Sequence, residues 1–277
     1  MRIGVPKEIK QQEHRIGLTP ESVKTLTSKG HQVLVENNGG FEAGFSNDDY
    51  INAGAKIENN ASEIFKNSDL IVKVKEPQKK EVDMIRENQI IYTYFHLAAA
   101  KNLTEGLIKS KSICIAYETV TDEKGKLPLL APMSAVAGRM SIQAGAHSLE
   151  KNQKGRGLLL GGAPGVDSAN VVILGGGVVG ENAALIATGM RAKVFIVDKS
   201  SIRLKELSQM FGDKINPILS DEADLNNLVK DCDLLIGGVL IPPGFAHGFL
   251  GLKKENIIYY LNTQYQNKKS ALILQKI

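Results

Sequence analysis

Three side chains that could act on a small carboxylate stand at the ends of strand-like runs in the first half of the sequence. Arg15 lies in "QQEHRIGLTP", Lys75 closes "DLIVKVK", and His96 follows "IIYTYF". An arginine can grip a carboxylate with two parallel hydrogen bonds, a lysine can polarise a carbonyl, and a histidine with a pKa near ~6.5 can transfer a proton at neutral pH. Ligands of open α/β sheets bind outside the carboxyl ends of the strands. The three residues therefore indicate a site for a small carboxylate substrate.

Each of the three residues also has an ordinary structural explanation. His96 could be a core histidine that hydrogen-bonds a nearby carbonyl at a strand end. Arg15 could be a solvated loop cation. Lys75 has Lys73 on the same strand face, so one of the two lysines could be an edge charge. The residue types alone leave these alternatives open.

A glycine-rich loop in "VVILGGGVVGENAALIATG" is the second candidate site. Gly175, Gly177 and Gly180 have the spacing G-x-G-x-x-G, directly after a β-branched run and before a helix. The first glycine permits a tight turn, the second lets the backbone approach a pyrophosphate, and the third lets the helix pack close to the strand. The helix N-terminus adds N–H groups and the positive end of its dipole. The pattern predicts dinucleotide binding rather than a plain βαβ turn.

Asp198 ends the next strand, "AKVFIVD", and indicates which dinucleotide binds. Its carboxylate can accept hydrogen bonds from the adenosine ribose, and its charge disfavours a 2′-phosphate at that place. NAD is therefore the predicted cofactor. Lys199 and Arg203 follow closely and weaken this preference.

The elements that must position these residues alternate between strands and helices. Thr19, Pro20 and Gly30 mark the start and stop of one helix. In the first part, strands are predicted at 2–6, 31–36, 69–75, 88–95 and 112–118, and helices at 19–30, 60–67 and 102–110, with a helix opening directly after His96. A long helical segment at 131–151 precedes strands at 171–174, 193–198, 215–219 and 232–236 and helices at 178–189, 201–210 and 222–230. This order predicts an α/β protein with two doubly wound parallel-sheet domains, the second of Rossmann type.

Composition excludes several other classes of protein. The chain has 277 residues, of which 43% are hydrophobic and 23% charged, so it has ample material for a core. Its net charge of +4 is spread without a basic run, which argues against nucleic-acid binding. No apolar run reaches the ~20 residues of a membrane span, and the N-terminus has no signal-peptide pattern, so a cytoplasmic protein is expected. Cys114 and Cys232 are predicted to be reduced core thiols, and no metal site is expected.

Several motifs together resemble the alanine dehydrogenase family. They are the opening "MRIGVPKEIKQQEHRIGLTPESVKTLTSKGHQVLVENNGG", "VKVKEP", "FHLA", "LLAPMSAVAGRMS", the glycine loop and "GGVLIP". The resemblance runs from Met1 to about Pro242. Nucleotide-binding subunits of membrane transhydrogenases and saccharopine dehydrogenases are more distantly similar.

The resemblance implies NAD-dependent, reversible conversion of L-alanine to pyruvate and ammonia by hydride transfer. It implies that Arg15 and Lys75 hold the substrate and that His96 is the acid–base residue. Besides the three glycines, the implied cofactor-binding residues are Ser134, Val178, Asp198, Arg203, Ser220, Val239 and Leu240. A homohexamer is also implied, without nucleic-acid or membrane partners.

The sequence departs from the family pattern after about Pro242. The family continues with a D-x-A-x-D-Q-G-G motif that carries a catalytic aspartate, and the tail shows nothing like it. We therefore expect a substrate domain at 1–130, a nucleotide-binding domain with four sheet strands, left incomplete, at 131–242, and a divergent tail at 243–277 in which "NIIYYLNTQY" could be a strand. A truncated or frame-shifted gene product is the expected origin. Three functions stay open: an active alanine dehydrogenase, a non-catalytic remnant that binds nucleotide weakly, and a transhydrogenase-type subunit.

Overall fold

The computed structural model describes residues 1–220, 222–239 and 271–274. The chain divides into two compact units, Met1–Leu130 and Ala131–Ile277. Each unit has its own parallel sheet. The predicted class, α/β with two parallel sheets, is confirmed.

The first unit is a doubly wound sheet. Its elements are β1 Arg2–Val5, α1 Pro20–Ser28, β2 Gln32–Glu36, α2 Asn47–Asn52, β3 Lys56–Glu58, α3 Ala61–Asn67, β4 Leu70–Val72, α4 Lys79–Val82, β5 Ile90–Thr93, α5 Lys101–Ser110 and β6 Ile113–Ala116. The strands are parallel in the order β3-β2-β1-β4-β5-β6. The order reverses between β1 and β4, and such a reversal opens a crevice at the carboxyl ends of the two strands.

Local sequence signals explain where the helices of this unit begin and end. The Thr19 hydroxyl accepts a hydrogen bond from the Ser22 N–H at 3.3 Å, and Pro20 occupies the first helical turn of α1. Gly30 follows the helix with a φ of +80°, which glycine adopts without strain. Asn60 caps α3 in the same way as Thr19 caps α1. These short-range features are why the predicted helices at 19–30 and 60–67 are confirmed.

The inner strands β1, β2 and β4 of the first unit are buried on both faces. Val5 and Ile71 have no exposed surface. Strands buried on both faces have continuous apolar sequences, which is why the sequence predicts them. The sequence missed three short elements, α2, β3 and α4, and it placed a helix directly after His96 where the structure has a 3₁₀ turn, Leu97–Ala99, before α5.

Lys73 lies in the interior of the first unit. Its side chain is fully buried, and its ammonium donates to Glu8 Oε2 at 3.0 Å and to Glu81 Oε1 at 2.7 Å. Burial raises the pKa of Glu81, and the Lys73 charge opposes that shift. Of the two lysines, Lys73 is therefore not an edge charge, because β4 is an interior strand and the Lys73 side chain is fully buried.

Cys114 lies on β6, which is the edge strand of this sheet. Three of the four β6 residues are exposed, including Cys114. The prediction of a core thiol is therefore wrong for Cys114, because this edge of the sheet has no covering layer among the described residues. It is confirmed for Cys232, which is buried.

The second unit repeats the doubly wound order around the glycine loop. Its elements are α6 Ala131–Ser148, β7 Asn170–Leu174, α7 Val178–Gly189, β8 Lys193–Asp198, α8 Ser201–Phe211, β9 Ile215–Leu219, α9 Glu222–Asp231, β10 Leu234–Gly237 and β11 Ala271–Leu274. The strands are parallel in the order β11-β10-β7-β8-β9. The four strands predicted from the sequence, β7 to β10, are all present, and residues 271–274 of the tail add β11 beside β10. The strand suggested for "NIIYYLNTQY" lies outside the described residues.

Helix α6 packs closely on α7. A Cβ on Gly138 would overlap the Val179 carbonyl oxygen, so only glycine permits this approach. The predicted long helix at 131–151 ends earlier, at Ser148. Within the described part of the chain, no helix combines the length and apolarity needed to cross a membrane.

We predict that Lys73→Met lowers the free energy of unfolding by about 3–5 kcal/mol, because it leaves two buried carboxylates without their cation. Lys24→Met, at an exposed position of α1, should change it by less than about 0.5 kcal/mol. Urea unfolding followed by tyrosine fluorescence measures both. Adding Glu81→Gln to Lys73→Met should recover part of the lost free energy of unfolding. Equal effects of Lys73→Met and Lys24→Met would contradict the prediction.

Candidate functional site

The three candidate substrate residues follow three neighbouring strands of the first sheet, β1, β4 and β5. Arg15 lies in the loop between β1 and α1, Lys75 lies three residues beyond the end of β4, and His96 lies three residues beyond the end of β5. The sequence predicted that Lys75 and His96 stand at the ends of their strands. In the structure both lie in the loops that follow the strands, at the same edge of the sheet. Arg15 is exposed, and the other two side chains are half-buried.

Arg15 is held by a carboxylate two residues earlier in its loop. Its Nε donates to Glu13 Oε1 at 2.8 Å and its Nη2 donates to Glu13 Oε2 at 2.6 Å. The hydrogen bonds from Arg15, with a smaller effect of the Lys75 charge, lower the pKa of Glu13 to about 2. The Glu13–Arg15 pair fixes the plane of the guanidinium, which is the group that would bind a substrate carboxylate.

His96 has a left-handed backbone that a second carboxylate stabilises. Its φ is +52°, an uncommon conformation for a residue with a side chain. The Glu118 carboxylate accepts hydrogen bonds from the Phe95 N–H at 3.0 Å and from the His96 N–H at 2.7 Å. The His96 ring stacks with the Tyr94 ring, with centroids 6.3 Å apart. Backbone and ring are both held, so the imidazole has a defined position.

Glu8 holds the segment that carries Lys75. One carboxylate oxygen accepts the Val74 N–H at 2.6 Å and the Lys75 N–H at 3.3 Å, and the other accepts the Lys73 ammonium. The buried cluster of Lys73, Glu8 and Glu81 is thus hydrogen-bonded, through Glu8, to the backbone of Lys75.

Electrostatic contacts connect the loops of this edge. The Lys75 charge acts on Glu13, as described above, and the Arg15 charge acts on Tyr94, where it opposes the rise in pKa that burial causes. The structure therefore brings Arg15, Lys75 and the Tyr94–His96 pair to one edge of the first sheet. Sequence reasoning missed Glu13, Glu118 and Tyr94. The motif "QQEHR" offered a signal for Glu13, whereas nothing local marks Glu118.

The glycine loop of the second unit has the geometry of a phosphate cradle. Gly175 has a φ of +95°, and a Cβ on Gly180 would overlap the Gly175 carbonyl oxygen. A Cβ on Gly177, the N-cap of α7, would meet nothing within 4 Å, and this residue is exposed. The loop is therefore closed where the helix packs and open at the N-terminus of α7, which fits a bound pyrophosphate.

Asp198 and Arg203 both hydrogen-bond to Gly176, which lies between the first two glycines of the motif. Asp198 Oδ2 accepts the Gly176 N–H at 2.6 Å, and its Oδ1 accepts the Ser200 N–H at 2.8 Å. Arg203 Nε donates to the Gly176 carbonyl at 2.7 Å, and its other nitrogens pair with Glu181 and Glu206. Asp198 is thus fixed beside the loop, at the place where an acid accepts the ribose hydroxyls.

Val178, Ser220 and Val239 follow strands of the second sheet and lie on the same edge of it. The Ser220 N–H donates to the Asp198 carbonyl at 2.9 Å, and a Cβ on Gly175 would lie 3.0 Å from Val239 Cγ2. Val178 is exposed at the start of α7, and Ser134 is buried on α6, one turn before Gly138. Leu240 lies outside the described residues. Within the described ranges, no cluster of three or more histidine, cysteine or acidic residues could hold a metal ion.

Two family models match this chain. The model described as "Alanine dehydrogenase/PNT, N-terminal domain" matches residues 4–137, and "Alanine dehydrogenase/PNT, C-terminal domain" matches residues 141–249. An alanine dehydrogenase of Staphylococcus epidermidis is 48% identical over 258 residues, which cover 93% of this chain and 67% of that protein. The chain belongs to the alanine dehydrogenase family. The resemblance noted in the sequence is therefore confirmed.

A second alanine dehydrogenase and a solved structure support this assignment. The Halomonas elongata alanine dehydrogenase is 50% identical over 246 residues, covering 89% of this chain. A solved L-alanine dehydrogenase has a TM-score of 0.80 at 50% identity, over 87% of this chain and 67% of that one. A transhydrogenase from Sinorhizobium meliloti has a TM-score of 0.72 at 22% identity, over 87% of this chain and 70% of that one, which shows a shared fold alone. The chain spans about two thirds of the length of its curated relatives, 66% for the Halomonas protein.

We predict that the stability added by the Glu13 carboxylate disappears in acid. Because Arg15 lowers the pKa of Glu13 from 4.5 to about 2 in the folded chain, the ionised pair stabilises the fold above about pH 4.5, and that contribution is lost as the pH falls towards 2. The difference in free energy of unfolding between the unmodified chain and Glu13→Gln should therefore shrink over this range. Urea titrations at pH 6, 4 and 3 measure it. In an Arg15→Gln background the difference should be small throughout, and a difference independent of both pH and Arg15 would contradict the prediction.

We predict that two glycines of α7 respond oppositely to alanine. Gly180→Ala should lower the free energy of unfolding by about 1–3 kcal/mol, because its Cβ overlaps the Gly175 carbonyl oxygen. Gly189→Ala, where a Cβ meets nothing within 4 Å, should be neutral or stabilise the chain by up to about 1 kcal/mol. Thermal unfolding followed by circular dichroism compares the two variants. A Gly180→Ala variant as stable as Gly189→Ala would contradict the prediction.

Proposed function

We propose that this chain carries out the NAD-dependent, reversible oxidative deamination of L-alanine to pyruvate and ammonia. The observation that supports this most directly is the edge of the first sheet. There a fixed histidine stands with an arginine and a lysine, in a chain that is 48–50% identical to alanine dehydrogenases. This combination suits a substrate that carries a carboxylate and exchanges protons during the reaction.

In this proposal the cations bind and polarise the substrate. Arg15, with its guanidinium plane set by Glu13, binds the carboxylate of alanine or pyruvate through paired hydrogen bonds. Lys75, on the segment held by Glu8, polarises the keto oxygen of pyruvate. A substrate oriented by two fixed cations loses little further entropy on the way to the transition state.

His96 moves the protons of the reaction. Oxidation removes a hydride from the α-carbon, the amine becomes an imine and loses a proton, and water then adds to the imine carbon. His96 takes a proton from that water and returns it to the nitrogen, and it then takes the proton of the new hydroxyl group as ammonia leaves and the keto group forms. When bound, the nicotinamide ring supplies the hydride acceptor.

The second unit would bind the cofactor. The open N-terminus of α7 would hold the pyrophosphate, and the Asp198 carboxylate would accept hydrogen bonds from the adenosine ribose, which favours NAD. The homohexamer and the cytoplasmic location stay predictions.

Two other functions compete with this proposal. A transhydrogenase-type subunit shares the fold, but the Arg15, Lys75 and His96 constellation favours chemistry on a small carboxylate. A non-catalytic remnant that binds nucleotide weakly makes the same loop contacts and differs only in turnover.

We predict that the purified chain reduces NAD in the presence of L-alanine and that His96→Ala lowers kcat by at least about 100-fold, because the proton-transfer group is lost. His147→Ala, which removes an exposed histidine of α6, is the matched control and should retain activity. Formation of NADH at 340 nm measures both rates. A folded chain that binds NAD without turnover would support the remnant, and equal rates for the two variants would exclude His96 as the acid–base residue.

A further inference from the structure

The cofactor site of the second unit contains two residues with opposite preferences. An acid at the end of the second strand of a dinucleotide fold binds the 2′-hydroxyl of NAD, whereas a nearby arginine accommodates the 2′-phosphate of NADP. Asp198 and Arg203 are such residues, and both hydrogen-bond to Gly176, one to its N–H and the other to its carbonyl. Which dinucleotide binds therefore depends on whether the Arg203 guanidinium is available.

The guanidinium is engaged in three directions. Nε donates to the Gly176 carbonyl, Nη2 pairs with Glu181 Oε2, and Nη1 donates to Glu206 Oε2 at 2.7 Å. Two carboxylates thus pair with this one cation, and the Asp198 carboxylate binds the N–H of the same glycine. A 2′-phosphate would have to displace Glu181 or Glu206 from Arg203 and would be repelled by these carboxylates.

Of the two glutamates, Glu181 is the better placed to hold the arginine. It is the fourth residue of α7, where the positive end of the helix dipole favours a carboxylate. Its side chain is 32% exposed, against 56% for Glu206, so solvent and salt screen its pair with Arg203 less. Glu206 lies on α8 itself, three residues after Arg203. Glu181 instead ties Arg203 across to the helix that follows the glycine loop.

We infer that Glu181 is a specificity-determining residue, which withholds Arg203 from a 2′-phosphate and so selects NAD over NADP together with Asp198. This inference rests on the proposed function, because it requires that the second unit binds NAD. It assigns the discrimination to an ion pair within the protein, in addition to the acid that contacts the ribose.

The test measures dissociation constants of NAD and NADP by isothermal titration calorimetry with the 277-residue chain. In Glu181→Gln the ratio of the NADP constant to the NAD constant should fall about tenfold, because a guanidinium–phosphate pair becomes possible. Glu206→Gln is the matched control and should lower the ratio by about twofold or less. Adding Arg203→Gln to Glu181→Gln should restore the original ratio. The gain in NADP affinity should also weaken in 0.5 M salt.

Each outcome separates this inference from the proposed function. Glu181→Gln that binds NAD with an unchanged ratio overturns the inference, as does a gain in NADP affinity that persists without Arg203. If Glu181→Gln does not fold, Arg203→Gln alone decides: an unchanged ratio agrees with an arginine that is already withheld, and a ratio raised about tenfold shows that Arg203 binds the phosphate, which overturns the inference. If the unmodified chain binds neither dinucleotide, the proposed function itself fails, and the inference with it.

Discussion

The buried carboxylate of Glu8 is the interaction on which the first unit's candidate site depends. It comes from the segment after β1 and accepts hydrogen bonds from the Lys73 ammonium and the Val74 N–H on the segment after β4. These two segments flank the reversal of the sheet order. Burying three ionised groups is tolerated because each is paired or hydrogen-bonded, and removing any one would leave the others uncompensated. The separation of the Arg15 and Lys75 loops is thus set by the interior of the unit.

The same use of acidic side chains recurs at the other site loops. Glu118 accepts two consecutive N–H groups at His96, and Asp198 accepts the N–H groups of Gly176 and Ser200. Loops that leave parallel strands expose N–H groups that no neighbouring strand can accept. A carboxylate satisfies two of them at once through charge-assisted hydrogen bonds. Loop geometry in both units therefore depends on acids that, apart from Asp198, do not face a ligand in our proposal.

How far the sequence predicted this structure depends on the range of the interactions involved. Helix α7 and strand β8 were predicted with their observed bounds, since glycine spacing and apolar runs are local signals. The family and the parallel sheets were likewise predictable. The burial of Lys73 was not, because its partner Glu8 lies 65 residues away in sequence. The role of Glu118 was not predictable for the same reason, since it lies 22 residues from His96 in the sequence.

The backbone conformation at position 96 favours other residues than the histidine that we propose as the acid–base group. A left-handed backbone costs about 1 kcal/mol or more for most residues with a side chain, and less for asparagine or glycine. A selection for thermal resistance alone would therefore favour those two residues at position 96 and discard the imidazole. Under the proposed function, a stabilised version of this chain should keep its histidine at that position, and a drift towards asparagine there in a laboratory lineage would indicate that the proposed proton transfer is no longer under selection.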